Sequence, residues 1–238
     1  MPATSVAPGE RPAAEGSVFD IMTNVMDFYE QLMDHFGPRN WWPAGSPFEV
    51  IVGAILTQQA NWRNVEKAIA NLKAADVLDP DKIVRMTAEE LEGLIRPSGF
   101  YRQKGRYLKT FCKYLVDVYG GDVDSMFSKD LEELRPELLG LDGIGPETCD
   151  SILLYAGEKL TFVVDAYTVR VCQRAGLIDS EKYDDIKSFF EKNTTPDILV
   201  YNEYHALFVE LGKRYCRTSN PGCEECPVSG LCNHASKY

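Results

Sequence analysis

Residues 138–165 read LLGLDGIGPETCDSILLYAGEKLTFVVD, and this stretch decides the fold. At its centre, Gly143-Ile144-Gly145 forms a G-x-G turn between two helical patterns. Glycine permits the positive φ and the close backbone approach that a tight turn needs, and Pro146 suits the first position of the helix that follows. The free N–H groups at that helix start can bind a phosphate. Taken alone, the turn is more typical of an ordinary helix–helix connection.

Apolar residues recur at helical spacing along almost the whole chain. The segments are 18–36, 48–56, 65–74, 87–95, 104–119, 130–138, 147–155, 166–175, 181–190 and 197–215. Short runs of Gly, Pro and Asp separate them, and Thr87 with Glu90 has the pattern of a capping box. Only residues 160–164 have strand character, and so short a run does not make a sheet. The sequence therefore predicts an all-α protein with two lobes.

The 238-residue chain carries a formal net charge of -11 at pH 7. This charge counts against a nucleic-acid partner, because duplex binding needs cations, but the distribution matters more than the sum. Residues 93–116 contain six Lys and Arg and no acid, and residues 211–222 contain three and no acid. These segments can present a phosphate-binding face, although two solvated helix faces would explain them equally well.

The remaining composition bounds the class of protein. With 45% hydrophobic residues, the chain can build one large or two small cores. No apolar run reaches the roughly 18 residues that a membrane span needs. Residues 1–16 are rich in Pro, Ala, Gly and Ser and lack the apolar core of a signal peptide, so we expect a disordered tail. We expect an intracellular protein, cytoplasmic or, in a eukaryote, nuclear.

Four of the seven cysteines lie near the C-terminus, in a loop with several Pro and Gly residues. Their spacing is Cys216-x6-Cys223-x2-Cys226-x5-Cys232. An odd number of cysteines without a signal peptide argues against a disulfide scaffold. Four neighbouring thiolates can hold zinc or an iron–sulfur cluster, and spacing alone does not decide between them. The other three cysteines stand in apolar contexts typical of buried side chains.

The cysteine loop, which follows a C-terminal helix, resembles the iron–sulfur loop of the endonuclease III family. The hairpin, followed by Asp165 18 residues beyond Glu147, resembles the helix-hairpin-helix–Gly/Pro–Asp (HhH-GPD) signature of base-excision DNA glycosylases. The resemblance implies a two-lobed fold and a [4Fe–4S] cluster held by the four cysteines. The implied domains are a helical barrel at 42–154, with the hairpin at about 130–154, and a discontinuous domain of 17–41 and 155–238, with the cluster loop at 211–238.

In the family, the aspartate is the catalytic carboxylate, and the matching residue is Asp165. Its plain structural role would be to cap the following helix. The two roles are compatible, because a cap holds the carboxylate ionised at the helix start. Bifunctional members carry a lysine where this chain has Glu147. Since a carboxylate cannot form an imine, the resemblance implies a monofunctional enzyme that uses water.

Three tryptophans, Trp41, Trp42 and Trp62, lie close together in the sequence. Core packing would explain them, but their π faces could also sandwich a flipped base and attract a cationic alkylated purine. The W-W-P and L-T-Q runs are most similar to the 3-methyladenine DNA glycosylase III subgroup, which need not carry the cluster loop. There Gln59 matches the residue that fills the gap left by the flipped base, and Lys213 matches a pocket lysine. We place Glu147 in the same pocket.

Residues 99–104, GFYRQK, resemble a G-[FLY]-[YF]-x-x-K loop of the family, which implies that Arg102 and Lys104 contact the DNA backbone. Gly143, Gly145 and Thr148 are expected to do so at the hairpin.

The sequence thus predicts a monomeric DNA glycosylase that acts on a damaged base in double-stranded DNA. The expected substrate is an alkylated purine such as 3-methyladenine. Two alternatives stay open. One is a glycosylase for uracil, thymine or another deaminated, mismatched or oxidised base, and the other is a DNA-binding module without enzymatic activity.

Overall fold

The computed structural model describes residues 18–237, with side chains from Val25 onward; the tail predicted at 1–16 lies outside this range. The described residues form helices and connecting segments and no strand, which confirms the all-α prediction. The helices are α1 (Val18–Phe36), α2 (Pro47–Thr57), α3 (Trp62–Ala74), α4 (Pro80–Arg85), α5 (Ala88–Ile95), α6 (Tyr101–Tyr119), α7 (Val123–Phe127), α8 (Leu131–Leu139), α9 (Pro146–Ser151), α10 (Ala166–Ala175), α11 (Tyr183–Asn193) and α12 (Ile198–Arg214). A π-helical turn, Ile152–Ala156, continues α9, and short 3-10 turns occur at Arg96–Ser98, Ser229–Leu231 and Ala235–Lys237. No described helix combines the length and the apolar character needed to cross a membrane.

Local capping explains most helix starts. The box at α5 is confirmed: Thr87 Oγ1 accepts from Glu90 N at 3.2 Å, and Glu90 Oε2 accepts from Thr87 N at 2.8 Å. Helix α4 was not predicted, because Asp79-Pro80-Asp81 reads as a break between helices. In the structure Asp79 caps α4 by accepting from Lys82 N at 2.9 Å, and Pro80 occupies the first helical position. Helix α7 was also missed.

The apolar residues 160–164 form no strand. Phe162, Val163 and Val164 are buried in a hydrophobic core, and Phe162 N donates to Glu191 Oε1 at 3.0 Å. The segment therefore satisfies part of its backbone with a side chain and packs as an extended connection into α10.

Two hydrophobic cores organise the described helices. The first draws its buried side chains from α2 to α9 and the π turn. The second lies among α1, α10, α11 and α12, where Phe162 stacks on Phe190 at 4.5 Å and Tyr204 stacks on Phe208 at 4.7 Å between ring centroids. Tyr155, in the π turn, packs against both cores. The chain therefore passes from one core to the other close to the hairpin.

A buried carboxylate anchors the hairpin. Asp150 on α9 is fully buried and accepts two hydrogen bonds from the Arg135 guanidinium, at 2.8 and 2.9 Å. It also accepts from Thr161 Oγ1 and from Tyr183 Oη, both at 2.9 Å. Charge-assisted bonds of this kind are the strong ones. Because its partners come from α8, α11 and the extended segment, Asp150 fixes the hairpin against the second core.

Candidate active site

Asp165 lies at the start of α10 and is its N-cap. Its Oδ1 accepts from Thr168 N at 2.7 Å and from Thr168 Oγ1 at 2.8 Å, and its side chain is 11% exposed. Burial alone would raise the pKa of this carboxyl, but His205 and the two Thr168 bonds outweigh burial and hold the pKa below its usual value. The capping role is confirmed, and the carboxylate is anionic at neutral pH.

Sequence reasoning missed His205, on α12. Its Nε2 lies 3.7 Å from Asp165 Oδ2, and its Nδ1 is hydrogen-bonded to the Tyr155 hydroxyl at 2.5 Å. His205 is 6% exposed. The chain has only three histidines, and a histidine in the apolar stretch of α12 was the available signal, although it does not reveal a partner 40 residues earlier.

Glu147 sits in the first turn of α9, and its side chain is exposed. Burial of its carboxyl by surrounding protein, and then the charge of Asp165, raise the pKa of Glu147, while His205 opposes the shift. The structure therefore brings Glu147, Asp165 and His205 within electrostatic reach of one another. Two carboxyls whose pKa values are pushed in opposite directions are typical of a catalytic site.

The tryptophans form a connected aromatic wall beside these groups. The Trp42 ring meets the Trp62 and Trp41 rings edge-on, at 5.2 and 6.3 Å between ring centroids. It is tilted against the Tyr155 ring, at 5.5 Å between centroids. The Lys213 ammonium lies 5.5 Å from the centre of the Trp41 ring. The indole N–H of Trp41 is buried, and no residue in the described part of the chain accepts its hydrogen bond. Of the residues predicted for the base pocket, the structure brings Trp41, Trp42, Trp62 and Lys213 into one connected group, and a place for Glu147 in that pocket stays a prediction.

Contacts from α12 and α2 hold this wall in place. Glu203 accepts from the backbone N–H groups of Arg39 and Asn40, at 2.6 and 2.9 Å, and so ties the segment before Trp41 to α12. On the other side, Gly53 of α2 faces Trp42. A Cβ atom at position 53 would stand 3.1 Å from the indole, so glycine lets the ring lie flat against the helix.

Gln59 stands at the turn after α2, exposed and with a φ of +51°. The neighbouring Gln58 ties this turn to the hairpin, because its Nε2 donates to Gly143 O at 2.9 Å and to Thr148 Oγ1 at 3.2 Å. The Thr148 side chain is buried, so its hydroxyl faces the protein, and a phosphate contact by Thr148 remains a prediction for its backbone N–H. Gly145 is exposed, and a Cβ there would meet open space.

The prediction that Lys104 contacts DNA is wrong. Lys104 is 2% exposed, and its ammonium donates to Leu56 O at 2.8 Å and to Ser98 O at 2.7 Å. Burial lowers its pKa to about 8. Its role is to fasten the loop before α6 to the end of α2, and this places Phe100, which is 62% exposed, on a loop next to the turn that carries Gln59.

Arg102 follows on the same helix with an 82% exposed side chain, 3.9 Å from Glu92. A loosely paired and exposed guanidinium is free to bind a phosphate. Phosphate contact by Arg102 stays a prediction.

The four C-terminal cysteines are half-buried in one loop. Burial, followed by the thiols of Cys232 and Cys216, raises the pKa of Cys223, and Arg174 Nη1 donates to Cys216 Sγ at 3.5 Å. The thiols therefore face one another closely enough to interact. Within the described residues they do not converge as the ligands of a single ion would.

The family model described as "HhH-GPD superfamily base excision DNA repair protein" matches residues 52–196. A predicted DNA repair glycosylase of Methanocaldococcus jannaschii is 48% identical over 210 residues, 87% of this chain and 95% of the relative. Endonuclease III of Thermotoga maritima is 30% identical over 195 residues, 82% and 86% of the two chains.

Two solved structures extend the comparison. The 3-methyladenine DNA glycosylase of H. pylori, bound to 1,N6-ethenoadenine, aligns with a TM-score of 0.70 and 29% identity over 83% of this chain and 97% of that one. A non-covalent endonuclease III–DNA complex aligns with a TM-score of 0.77 over 91% and 97%. Its identity of 24% makes it evidence of the fold alone.

Proposed function

The chain belongs to the HhH-GPD superfamily of base excision DNA repair proteins, and from that premise we propose that it is a monofunctional DNA glycosylase that releases an alkylated purine from double-stranded DNA. One observation carries the proposal: an anionic carboxylate, Asp165, is fixed at a helix start beside a wall of tryptophans, while Glu147 faces it from the hairpin. These groups offer charge stabilisation and base stacking together.

The proposed reaction is hydrolysis of the bond between the base and C1′ of the sugar. As this bond breaks, the sugar gains oxocarbenium character, and an anion already in place stabilises that charge without reorganisation. Asp165 meets this need because two Thr168 donors hold one of its oxygens. Water takes the place of the departing base at C1′.

Monofunctional activity follows from Glu147. The residue occupies the first turn of α9. A lysine there could attack the sugar and form a Schiff base, whereas a carboxylate cannot. The same carboxyl, with its pKa raised, can share a proton with the water or the leaving base.

The aromatic wall supports an alkylated purine as substrate. A cationic base stacked on an indole gains cation–π attraction, and the buried N–H of Trp41 can donate to the edge of the base. A base that already carries positive charge leaves easily, so the site needs no strong acid. The H. pylori neighbour, a 3-methyladenine DNA glycosylase bound to 1,N6-ethenoadenine, supports a modified adenine as substrate.

The DNA itself would lie across the turns that Gln58 and Lys104 tie together. We propose that Gln59 fills the gap left by the flipped base, with Phe100 on the neighbouring loop inserting as an apolar wedge. The N–H groups at Gly143 and Gly145, and the Arg102 guanidinium, would bind phosphates. We propose that the active form of the protein is the monomer.

We propose that Cys216, Cys223, Cys226 and Cys232 ligate a [4Fe–4S] cluster. The donor set fits, because a cubane provides a separate iron for each thiolate and so keeps the thiolates farther apart than a single ion would. The Arg174 contact to Cys216 would offset the negative charge of the site. When bound, the cluster would staple the C-terminal loop to α10.

The decisive experiment is base release from a panel of duplexes, each containing 3-methyladenine, 1,N6-ethenoadenine, uracil or a thymine mismatch. We expect release of the alkylated adenines, with no adduct trapped by borohydride. Asp165→Asn should lose release and keep DNA binding. The matched control is Asp197→Asn, which alters an exposed N-cap aspartate on α12 and should stay active.

Three results would contradict the proposal. Release of uracil or thymine alone would reject the alkylated purine. A borohydride-trapped adduct would reject the argument from Glu147. Undiminished release by Asp165→Asn would reject the mechanism.

A further inference from the structure

We propose that His205 is the positioning residue of Asp165, held by the Tyr155 hydroxyl as the neutral tautomer that carries its proton on Nε2. The inference rests on the proposed function, since it assigns a partner to the carboxylate that the reaction uses. Tyr155, His205 and Asp165 form a series of polar contacts, the Tyr155–His205–Asp165 series, beside both hydrophobic cores.

Three separate elements of the fold supply the Tyr155–His205–Asp165 series. Tyr155 comes from the π turn, Asp165 from the start of α10 and His205 from the middle of α12. The Tyr155 hydroxyl and His205 Nδ1 are 2.5 Å apart, and His205 Nε2 and Asp165 Oδ2 are 3.7 Å apart. Within the described residues, the buried Nε2 has no hydrogen-bond partner. A buried polar atom in that state calls for an explanation.

The tyrosine decides which nitrogen carries the proton. Burial, and then the charges of Asp165 and Glu203, raise the pKa of Tyr155 well above its usual value, so the phenol keeps its hydrogen. In the described part of the chain, His205 Nδ1 is the partner recorded for this hydroxyl. The proposed tautomer has the phenol donating to Nδ1, and a neutral imidazole that accepts at Nδ1 must carry its hydrogen on Nε2.

The two oxygens of Asp165 are then held by different groups. Thr168 donates twice to Oδ1, while the His205 Nε2–H faces Oδ2. The distance of 3.7 Å exceeds a direct hydrogen bond, so the contact in the free protein is electrostatic. Contacts of this length often shorten when the substrate binds. Donors on both oxygens fix the plane of the carboxylate against rotation.

The Tyr155–His205–Asp165 series also reaches the base pocket. The Tyr155 ring lies 5.5 Å from the Trp42 ring, measured between centroids, and 5.9 Å from the imidazole. A base stacked against Trp42 would press on the ring whose hydroxyl orients His205. Occupancy of the pocket and the orientation of Asp165 are thereby coupled through packed side chains.

Few titratable groups interact with Tyr155, His205 and Asp165. Glu147 on α9, Tyr155, Cys172 on α10 and His205 on α12 interact with Asp165, and Glu203 acts on Tyr155. Of these, His205 is the one that lowers the pKa of Asp165, together with the Thr168 bonds, and a neutral imidazole does so through its Nε2–H donor. Removing His205 should therefore raise that pKa and move the acid limb of the rate profile to higher pH.

The first test needs no substrate. Long-range 1H–15N spectra of the protein labelled with 15N-histidine report three imidazoles, at positions 35, 205 and 234. We expect the neutral imidazole of His205 in the wild type to be the Nε2–H tautomer, and Tyr155→Phe to lose that single form. A wild-type His205 that is protonated on Nδ1, or on both nitrogens, overturns the proposal whatever the enzyme cuts.

The second test is single-turnover release of 1,N6-ethenoadenine from a duplex, measured against pH. His205→Leu should slow release on the order of tenfold to a hundredfold, the effect of one lost hydrogen bond to a charged group, and shift the acid limb upward with DNA affinity unchanged. His205→Gln keeps an N–H donor near the Nε2 position and should recover most of the rate.

Tyr204→Phe is the matched control for Tyr155→Phe. It also removes one buried hydroxyl bond, from Tyr204 to Val25 O at 2.8 Å, but its ring packs against Phe190 and Phe208 in the second core. Only Tyr155→Phe should move the pH profile. Identical profiles for the wild type, His205→Leu and Tyr155→Phe would overturn the positioning role. If no lesion is cut while the tautomer is as expected, the proposed function fails and the assignment of His205 is supported.

Discussion

Lys104→Met tests whether a buried ammonium fastens the DNA-facing loop to the helix beside it. In the structure this ammonium donates to the carbonyl oxygens of Leu56 and Ser98, at 2.8 and 2.7 Å, with the side chain 2% exposed. Methionine keeps the apolar stem in place, so the change removes the two bonds without opening a large cavity.

The expected loss of stability follows from these two bonds. Each carbonyl left without a donor costs about 1–3 kcal/mol, and part of that cost is offset because a cation is no longer buried. We expect Lys104→Met to lower the free energy of unfolding by about 2–3 kcal/mol. For a domain of this size, that change lowers Tm by roughly 5–10 °C.

The pH dependence has a definite sign. Burial lowers the pKa of Lys104 to about 8, whereas an unfolded lysine titrates near about 10.4. Between these values the unfolded chain holds a proton that the folded protein has released, so the wild type gains stability as pH rises. The difference between wild type and Lys104→Met should be constant below about pH 8 and should widen above it.

Urea unfolding monitored by tryptophan fluorescence measures the change at each pH. Lys113→Met is the control, because Lys113 lies on the same helix with a 69% exposed side chain that pairs with Asp117. An exposed pair of this kind contributes at most about 0.5 kcal/mol. Equal losses for the two variants, or a gap that narrows with rising pH, would refute the reasoning.

Four further changes probe the hairpin and the cysteine loop. Gly143→Ala should cost about 2–4 kcal/mol in urea unfolding, because φ is +87° and the new Cβ would stand 2.0 Å from the Tyr107 ring; a cost below about 1 kcal/mol would contradict the close packing. Gly145→Ala, in open space, should unfold like the wild type and bind DNA more weakly by electrophoretic mobility shift; unchanged binding would exclude a phosphate at this turn. Asp150→Asn should cost about 3–5 kcal/mol, since it leaves the Arg135 guanidinium without its anion; a near-neutral effect would show that the network is dispensable. Cys223→Ala should abolish the brown colour of the purified protein and expose the C-terminal loop to protease, whereas a colourless wild type with one bound zinc would reject the cluster.

Most of the helical fold could be predicted because helix signals are local. Apolar spacing gave α1 and α10 with the bounds that the structure has, and the capping box at α5 is present as expected. The two missed helices, α4 and α7, are too short to show a period. Residues 160–164 look like a strand because burial on both sides favours the same apolar side chains in a sheet and in a connection between cores.

The candidate site, too, could be predicted only in part. The cap at Asp165 was predictable, because a cap is set by its own helix. Its partners His205 and Tyr155 were not, because 40 and 10 residues separate them from Asp165 along the chain, and only packing of α12 against the π turn brings them together. Contacts over such distances leave no spacing rule in a single sequence.

The position of Lys104 in the sequence already indicates that its side chain is buried. Its charge and the family-like loop suggested a surface role shared with Arg102. Yet position 104 stands four residues before Leu108 and seven before Phe111, which are both fully buried, so all three fall on one face of α6. A lysine on the apolar face of an amphipathic helix points its ammonium at protein, where backbone carbonyls are the available acceptors. The side that a charged residue occupies on its helix therefore predicts its role better than the local density of charge.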